Sequence, residues 1–567
     1  MLTYKEKIAK LIEPHIPFDE SQTLRLLDYP PNSNMGDFAF PCFTLAKELR
    51  KAPQMIAAEL TNAIPKVEWL ANVETVGAYV NFFIQRSYFA FDVSTQIQDH
   101  ADYGKSAVGS GQTIAIDYSS PNVAKSFTVG HLRSTVIGNA VANLHEWLGY
   151  QVERVNHLGD WGTQFGKVIV AYKKWGNVET VKQNPIDELV DLYVRFHREA
   201  EEHPELEDEA RLWFRKLEDG DKEAYELWKW FVEVSLKEFD RTYQLLGVAF
   251  DHYLGESFYN DKMDAVVAEL EQKQLLTTSD GAEVVLLEEY NMPPCLIKKS
   301  DGATLYATRD LAAALYRHNV LHADKLFYVV GNEQSLHFKQ VFKVLELMGY
   351  EWAKECVHIG FGLMKFEGKK FSTRKGQIIR LNEVLEQSIQ RVDAIIEEKN
   401  PNLPEREQIA KDVGVGAIIF NDLKSHRLHE IDFRWEDILN FDGETGPYVQ
   451  YTHARCCSLM RKAEWQLADT DVAACDFSHV SDIEWELWKL LGNLQDTVQR
   501  AAEQLDPSIV ARYVIDICQQ FNRFYHETKI LTDDAVHRMT KLVIVACTRN
   551  VIAKSLALLG IQAPEAI

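Results

Sequence analysis

A glycine and a histidine, Gly130 and His131, stand where an apolar stretch and a polar loop lead into a long stretch with helical spacing of its apolar residues. Glycine lets the backbone approach a ligand closely, and the start of a helix favours anions. A histidine at that point can donate a hydrogen bond to a phosphate without carrying a formal charge. A Gly-His pair alone more often marks a turn, so its weight depends on the residues around it.

A second candidate for phosphate chemistry is the stretch GKKFSTRKG at 368–376. Four basic residues flank a small polar centre, and a glycine stands at each end. Cationic side chains can stabilise the charge that develops on a leaving pyrophosphate. The stretch therefore predicts a mobile clamp over phosphates, although a run of this kind seen alone is more often an exposed basic loop.

The elements around these residues predict a parallel sheet. A strand is expected at 113–118, followed by a polar loop and a helix that ends near Gly149. Further strands are expected at 326–330 and 357–363, with a helix between them that runs through residue 347. Strands that alternate with helices are typical of a nucleotide-binding α/β fold.

The rest of the chain suggests two more domains. Residues 1–110 mix helix-like and strand-like stretches and predict an α+β N-terminal domain. Residues 111–400 are expected to form a Rossmann-like catalytic domain, with a charged, largely helical insertion at about 165–300. The pattern of 401–567 is almost wholly helical, which predicts a separate all-α domain.

Composition narrows the class of protein. The 567 residues carry a net charge of −23, which argues against nonspecific coating of nucleic acid but does not exclude a nucleic-acid partner. The eight cysteines show no Cys-x-x-Cys pair, so no zinc site is expected. The N-terminus resembles neither a secretory signal nor a transit peptide, and no run of about 18 apolar residues exists. We therefore expect a cytoplasmic protein without a membrane span.

The stretch SSPNVAKSFTVGHLRS at 119–134 resembles the HIGH signature of class I aminoacyl-tRNA synthetases in its arginyl form. The stretch at 368–376 looks like the KMSKS motif of the same class. Further matches to the arginyl family lie at 156–162, 306–310, 330–337, 446–455 and 506–525, so that the likeness covers essentially the whole chain. The signature motif comprises Ser120, Pro121, Asn122, Val123, Ala124, Lys125, Ser126, Phe127, Thr128, Val129, Gly130 and His131.

The resemblance implies ATP-dependent ligation of L-arginine to tRNA(Arg) through an arginyl-adenylate, by a monomer that uses Mg²⁺ with ATP. It also implies a tRNA-binding N-terminal domain and an anticodon-binding C-terminal domain. His131, Lys125 and Lys370 are the implied catalytic residues. The implied ATP-binding residues are Thr128, Gly130, His131, Lys370 and Ser372. Arginine would be bound by Asp117, Asn122, Tyr306, Asp310 and Gln334, and tRNA by Tyr448, Tyr451 and Tyr525. Carboxylates suit this substrate, because a guanidinium pairs well with them in bidentate geometry.

The chain departs from the family pattern at Thr128, at Thr373 and Arg374, which replace the usual Lys-Ser end of KMSKS, and at Ile567. Thr128 stands where the first histidine of HIGH is usual, and a hydroxyl can bond a phosphate but cannot carry charge. Thr373 replaces a lysine of KMSKS, and the resemblance suggests that Lys125 compensates. Ile567 stands where a terminal methionine is usual, which weakens any role given to that side chain.

Two alternatives remain at this stage. Another class I synthetase would fit poorly, because a cysteinyl enzyme would call for zinc ligands and a glutamyl-type site for a cation where this chain offers acids. A catalytically inactive paralogue that only binds tRNA or a protein is the other alternative. The presence of His131, Lys125 and Lys370 argues against it.

Overall fold

The computed structural model describes residues 2–30, 32, 35–99, 102–125, 127–299, 306–366, 369–370 and 380–567. The N-terminal part is an antiparallel sheet with strand order β1-β3-β2, packed by helices, as the mixed pattern of 1–110 predicts. Its strands are β1 Phe38–Pro41, β2 Leu70–Val76 and β3 Tyr79–Ile84, and its helices are α1 Leu2–Ile12, α2 Glu20–Leu26, α3 Leu45–Leu49, α4 Pro53–Ala63 and α5 Arg86–Asp99.

The central part is built on a five-stranded parallel sheet of β4 Thr113–Asp117, β5 Gln151–Asn156, β6 His252–Tyr253, β10 Lys325–Tyr328 and β11 Cys356–His358. Its strand order is β11-β10-β4-β5-β6. Four of the five residues of β4 are buried, as expected for a parallel strand covered on both faces. The order reverses between β4 and β10, and open α/β sheets bind ligands at such a switch point.

Two smaller sheets accompany the central one. Strands β7 Leu276–Ser279, β8 Ala282–Val285 and β9 Cys295–Lys298 form an antiparallel sheet inside the predicted insertion. Strand β12 Met364–Phe366 pairs antiparallel with β13 Lys369–Lys370 and parallel with β14 Ile431–Phe433. The strand predicted at 357–363 is shorter than expected and spans only Cys356–His358.

The helices around the sheets are α6 Leu132–Trp147, α7 Gln164–Trp175, α8 Val178–Gln183, α9 Pro185–Glu202, α10 Glu205–Glu218, α11 Lys222–Leu246, α12 Met263–Gln272, α13 Tyr306–Asn319 and α14 Ser335–Leu347. Helix α6 ends as predicted, because Gly149 adopts a φ of 87° that most residues avoid. None of the helices within the described ranges is long and apolar enough to cross a membrane.

The C-terminal part is helical and packs against both other parts. Its helices, together with the one that leads into it, are α15 Leu381–Lys399, α16 Arg406–Leu423, α17 Trp435–Ile438, α18 Gly446–Lys462, α19 Asp482–Leu491, α20 Leu494–Glu503, α21 Ser508–Glu527 and α22 Ala535–Leu558. Helix α5 of the N-terminal part lies against it, where the rings of Phe89 and Trp485 meet edge to face at 5.3 Å. The Tyr103 hydroxyl donates to the carbonyl of Leu491 over 2.9 Å.

Candidate active site

The site is centred on the carboxyl end of β4, at the switch point of the sheet. Asp117 is the last residue of that strand and is buried. Nη2 of Arg317 donates to Oδ2 of Asp117 over 2.7 Å, and the Ser120 hydroxyl donates to Oδ1 over 2.9 Å. Both carboxylate oxygens thus have partners within the protein, so a substrate guanidinium at Asp117 would have to share it with Arg317.

The signature loop after β4 is tightly folded. Ser119, Ser120 and Ala124 have φ values of 71°, 48° and 57°, a region that residues other than glycine seldom adopt. The backbone N–H of Val123 donates to the carbonyl of Gly159 over 3.0 Å. Gly159 belongs to the matched stretch 156–162. A Cβ at Gly159 would lie 2.2 Å from Oδ1 of Asn122, so only glycine leaves room for that amide. These contacts hold the loop in a defined shape, in which Asn122 and Lys125 are exposed.

His131 is held as a neutral ring with a defined tautomer. The backbone N–H of Thr128 donates to Nδ1 of His131 over 3.1 Å, and the Thr128 hydroxyl lies at the same distance. Burial, with a smaller contribution from Lys125, lowers the pKa of His131 to about 4. Because Nδ1 accepts, the ring proton sits on Nε2, which can donate to an anion. Gly130 and His131 lie in the short helical turn Val129–His131 that leads into α6.

The second motif begins on β13. Lys370 pairs through its backbone with Lys365 of β12, while its side chain and the residues Ser372 and Thr373 lie outside the described part of the chain. The chain is described again from Arg380, which forms a backbone bridge with Thr128. The N–H of Leu381 donates to the carbonyl of Phe127 over 2.9 Å. The segment that follows the second motif, from Arg380 onward, therefore lies against the loop before α6.

Two acids, Asp310 and Glu256, form what we call the acidic side of the site. Oδ2 of Asp310, on the first turns of α13, lies 2.5 Å from Nε2 of His337. Tyr306 is 68% exposed at the start of the same helix, and Gln334 is exposed in the short turn Asn332–Gln334. Both residues are thus free of the core and can meet a ligand.

A further acid, Glu256, belongs to this group and escaped the sequence analysis. Burial raises its pKa to about 7, and Asp160 and Asp310 raise it too, while Arg309 at 3.8 Å and Lys125 lower it. The charges of Asp310 and Lys125 both act on Glu256, so the three side chains lie within electrostatic range of one another. In the sequence, Glu256 could have been recognised only as an acid that follows a strand. That strand, β6, is two residues long and is too short to show a periodic pattern.

The predicted RNA-binding tyrosines lie together on the helical part. Tyr448 and Tyr451 are on α18, and Tyr525 is on α21. The guanidinium of Arg455 lies 5.1 Å from the ring of Tyr451 and 5.0 Å from that of Tyr525, so it stacks between them. Arg455, which ends the matched stretch 446–455, was not singled out from the sequence, although an arginine one turn after Tyr451 lies on the same helix face.

Family models match almost the whole chain. A model described as "tRNA synthetases class I (R), catalytic domain" matches residues 92–435. The DALR anticodon binding domain matches 449–567, and the arginyl tRNA synthetase N terminal domain matches 2–84. The chain belongs to the arginyl-tRNA synthetase family. The resemblance seen in the motifs at 119–134 and 368–376 is thus confirmed.

Individual members of the arginyl-tRNA synthetase family agree along their full length. The chain is 51% identical over 568 residues to an arginine–tRNA ligase of Alkaliphilus metalliredigens, with 100% of both chains covered. It is 52% identical over 566 residues to one of Enterococcus faecalis, with 99% of each covered. Among solved structures, the arginyl-tRNA synthetase of Thermus thermophilus superposes with a TM-score of 0.84 at 27% identity, covering 100% of this chain and 99% of the other. The predicted fold of a parallel-sheet catalytic domain between an N-terminal domain and a helical C-terminal domain is confirmed.

Proposed function

We propose that this arginyl-tRNA synthetase ligates L-arginine to tRNA(Arg) in two steps that both take place at the carboxyl end of β4. The arginine carboxylate attacks the α-phosphate of ATP, which forms arginyl-adenylate and releases diphosphate. A ribose hydroxyl of the terminal adenosine of tRNA then attacks the acyl carbonyl and releases AMP. The observation that carries the proposal is Glu256, a partly buried acid that lies 3.8 Å from Arg309 and whose pKa is raised by Asp310 and lowered by Lys125 of the signature loop.

The acidic side would bind the substrate guanidinium. Burial is the largest cause of the raised pKa of Glu256, and the negative charges of Asp160 and Asp310 raise that pKa as well, while Arg309 lowers it. A planar cation placed between two carboxylates relieves that repulsion and pairs with both. Asp117 would pair with the substrate guanidinium while it also pairs with Arg317. Tyr306, Asn122 and Gln334 would contact the substrate from the exposed rim of the site.

The signature loop would bind the phosphates. The N–H group at Nε2 of His131 can donate a hydrogen bond to a phosphate oxygen while the ring stays neutral. Thr128, Gly130, Lys370 and Ser372 are proposed to contact ATP beside it, and Lys125 would supply the cation that Thr373 cannot. Mg²⁺ would enter with ATP, bound to phosphate oxygens. Phosphoryl transfer needs little covalent chemistry from the protein, so positioning and charge stabilisation carry the reaction.

The two outer parts would bind tRNA. We assign residues 1–110 to a tRNA-binding domain, 111–400 to the catalytic domain with its insertion at about 165–300, and 401–567 to an anticodon-binding domain. Tyr448, Tyr451 and Tyr525 would stack on RNA bases, which is how proteins commonly hold unpaired bases. Arg455, already stacked between two of these tyrosines, brings a planar cation to the same surface.

Exchange of pyrophosphate into ATP, measured with and without arginine and tRNA(Arg), tests the proposal. We expect exchange that depends on arginine and is not supported by other amino acids. Asp310→Asn should weaken arginine capture by about 2 kcal/mol, because a buried guanidinium would lose a charged partner. Asp261→Asn is the matched control, since Asp261 is an exposed acid paired with Lys262 and should leave arginine capture unchanged. A chain that shows no exchange, or unaltered arginine dependence in Asp310→Asn, would reject the proposal.

A further inference from the structure

A buried arginine follows the phosphate-binding turn. Arg133 lies two residues after His131, at the start of α6, and its side chain is 1% exposed. Its Nε lies 3.2 Å from Oδ2 of Asp422, which is on α16 and is also 1% exposed. Its Nη1 donates to two backbone carbonyls, those of Gly362 at 2.7 Å and His429 at 2.8 Å. One guanidinium thus joins four segments of the chain.

The two carbonyls lie just before two strands that pair with each other. Gly362 precedes β12 by two residues and His429 precedes β14 by two residues, and these strands pair from Met364 with Ile431 onward. Strand β12 also pairs with β13, which ends at Lys370. Arg133 therefore fixes the base of the hairpin that bears the second phosphate-binding motif.

The contact is close enough to require glycine. A Cβ at Gly362 would lie 2.7 Å from the carbonyl oxygens of both Leu428 and His429, a distance that no side chain tolerates. A second arginine, Arg427, donates to the carbonyl of Gly360 over 2.7 Å and accounts for the neighbouring turn of the same segment. The path from β11 to β12 is thus held by two side chains from different elements.

A contribution to folding stability does not by itself explain why Arg133 and Asp422 form a buried ion pair. A buried ion pair often contributes less to folding than well-packed apolar residues of the same volume. Geometry offers a better reason, because His131 and Lys370 must reach one chain of phosphates from two separate motifs. A displacement of about 1 Å between catalytic groups can lower a rate about 100-fold.

We propose that Arg133 is a positioning residue that sets the distance between His131 and the hairpin bearing Lys370, with Asp422 as its counter-charge. The proposal rests on the proposed function, since it assumes that both motifs act on ATP. Arg133 itself touches neither substrate. Its side chain acts through the backbone of Gly362 and His429.

Arg133→Lys tests the proposal, because lysine keeps the charge beside Asp422 but lacks the planar pair of N–H groups that reaches both carbonyls. In arginine- and tRNA-dependent pyrophosphate exchange we expect kcat to fall about 30- to 100-fold while the KM for arginine changes less than about twofold. Combined with Lys370→Ala, the two losses should be strongly non-additive, whereas combined with Asp310→Asn they should multiply. Lys541→Met is the control, because Lys541 of α22 forms a buried pair with Glu484 of α19, so that its loss should lower thermal stability without lowering kcat.

Unchanged kcat in Arg133→Lys would overturn the proposal, as would a loss that multiplies in full with that of Lys370→Ala. Should Arg133→Lys not fold, Asp422→Asn decides by the same criteria, since asparagine keeps the volume of the side chain but removes the counter-charge that holds the guanidinium in place. Absence of exchange in the unchanged chain would instead reject the proposed function and this role with it. Pyrophosphate exchange by the unchanged chain therefore distinguishes failure of the proposed function from failure of the role given to Arg133.

Discussion

Arg317 and Asp117 are 200 residues apart in the chain, yet Nη2 of Arg317 donates to Oδ2 of Asp117 over 2.7 Å in the buried floor of the site. Asp117 raises the pKa of Arg317 further above its usual value, against the effect of burial. The pair joins the end of β4 to the end of α13, so it fixes Asp310 and Tyr306 of that helix relative to the sheet.

Breaking this pair should destabilise the fold. We expect Arg317→Leu to lower the free energy of unfolding by roughly 3 to 5 kcal/mol, because it leaves a buried carboxylate without its cation. Adding Asp117→Asn should restore part of the loss, since the stranded charge is then removed. Denaturant-induced unfolding of the two variants measures both effects, and a loss below about 1 kcal/mol in Arg317→Leu would contradict the assignment of a buried pair.

Removing the phosphate donor should lower the rate of activation. We expect His131→Ala to slow pyrophosphate exchange about 100-fold, about 3 kcal/mol, as is typical for loss of one preorganised donor. Arginine binding should change little. His145→Ala is the matched control, because His145 is a buried histidine on α6 whose Nδ1 bonds only the carbonyl of Val141, and its loss should affect stability rather than rate. Near-normal turnover in His131→Ala would remove the role given to this ring.

Arginine binding should depend on pH through Glu256. The pKa of this carboxyl is about 7 in the folded chain, against an ordinary value of 4.5, so it is largely protonated in mildly acidic solution. A bound guanidinium favours the ionised form, so arginine should bind more tightly as pH rises through about 7 and should release a proton. Calorimetric titrations in buffers of different ionisation enthalpy measure that proton. Glu256→Gln should abolish the pH dependence and weaken binding, and an unchanged pH profile would contradict the role of Glu256.

Lys125 should be as important as the lysine of the second motif. Thr373 cannot neutralise phosphate charge, and Lys125 is exposed on the signature loop close enough to lower the pKa of His131. We expect Lys125→Ala to lose adenylate formation on the order of 100-fold, as severely as Lys370→Ala, with a non-additive double mutant. Thr373→Lys should partly rescue Lys125→Ala. Lys174→Ala, which removes an exposed lysine on α7 paired with Glu209, serves as control.

Two results would count against compensation by Lys125. One is an active Lys125→Ala enzyme, and the other is no rescue by Thr373→Lys. In either case the remaining cations of the 368–376 stretch would supply the charge.

The sequence predicts those parts of the fold whose signal is local. The buried run at 113–117, the left-handed stop at Gly149 and the helix after His131 follow from apolar spacing and glycine placement within a few residues. What it misses depends on distant partners or on very short elements. Glu256 follows a two-residue strand, and the partners of Asp117 and Arg133 lie 200 and 289 residues away. No periodicity encodes such contacts, because tertiary packing alone brings them together.

The interface between α5 and the C-terminal helices can form only late in synthesis of the chain. The amide of Gln98 donates to the carbonyls of Leu467 and Thr470, and the former lies 369 residues later. At about 10 residues per second, the ribosome needs more than half a minute to supply these partners. Until then the side of α5 that carries Phe89 has no Trp485 to cover it. This side of α5 therefore stays without its final partners through most of translation, because they come from the last fifth of the chain.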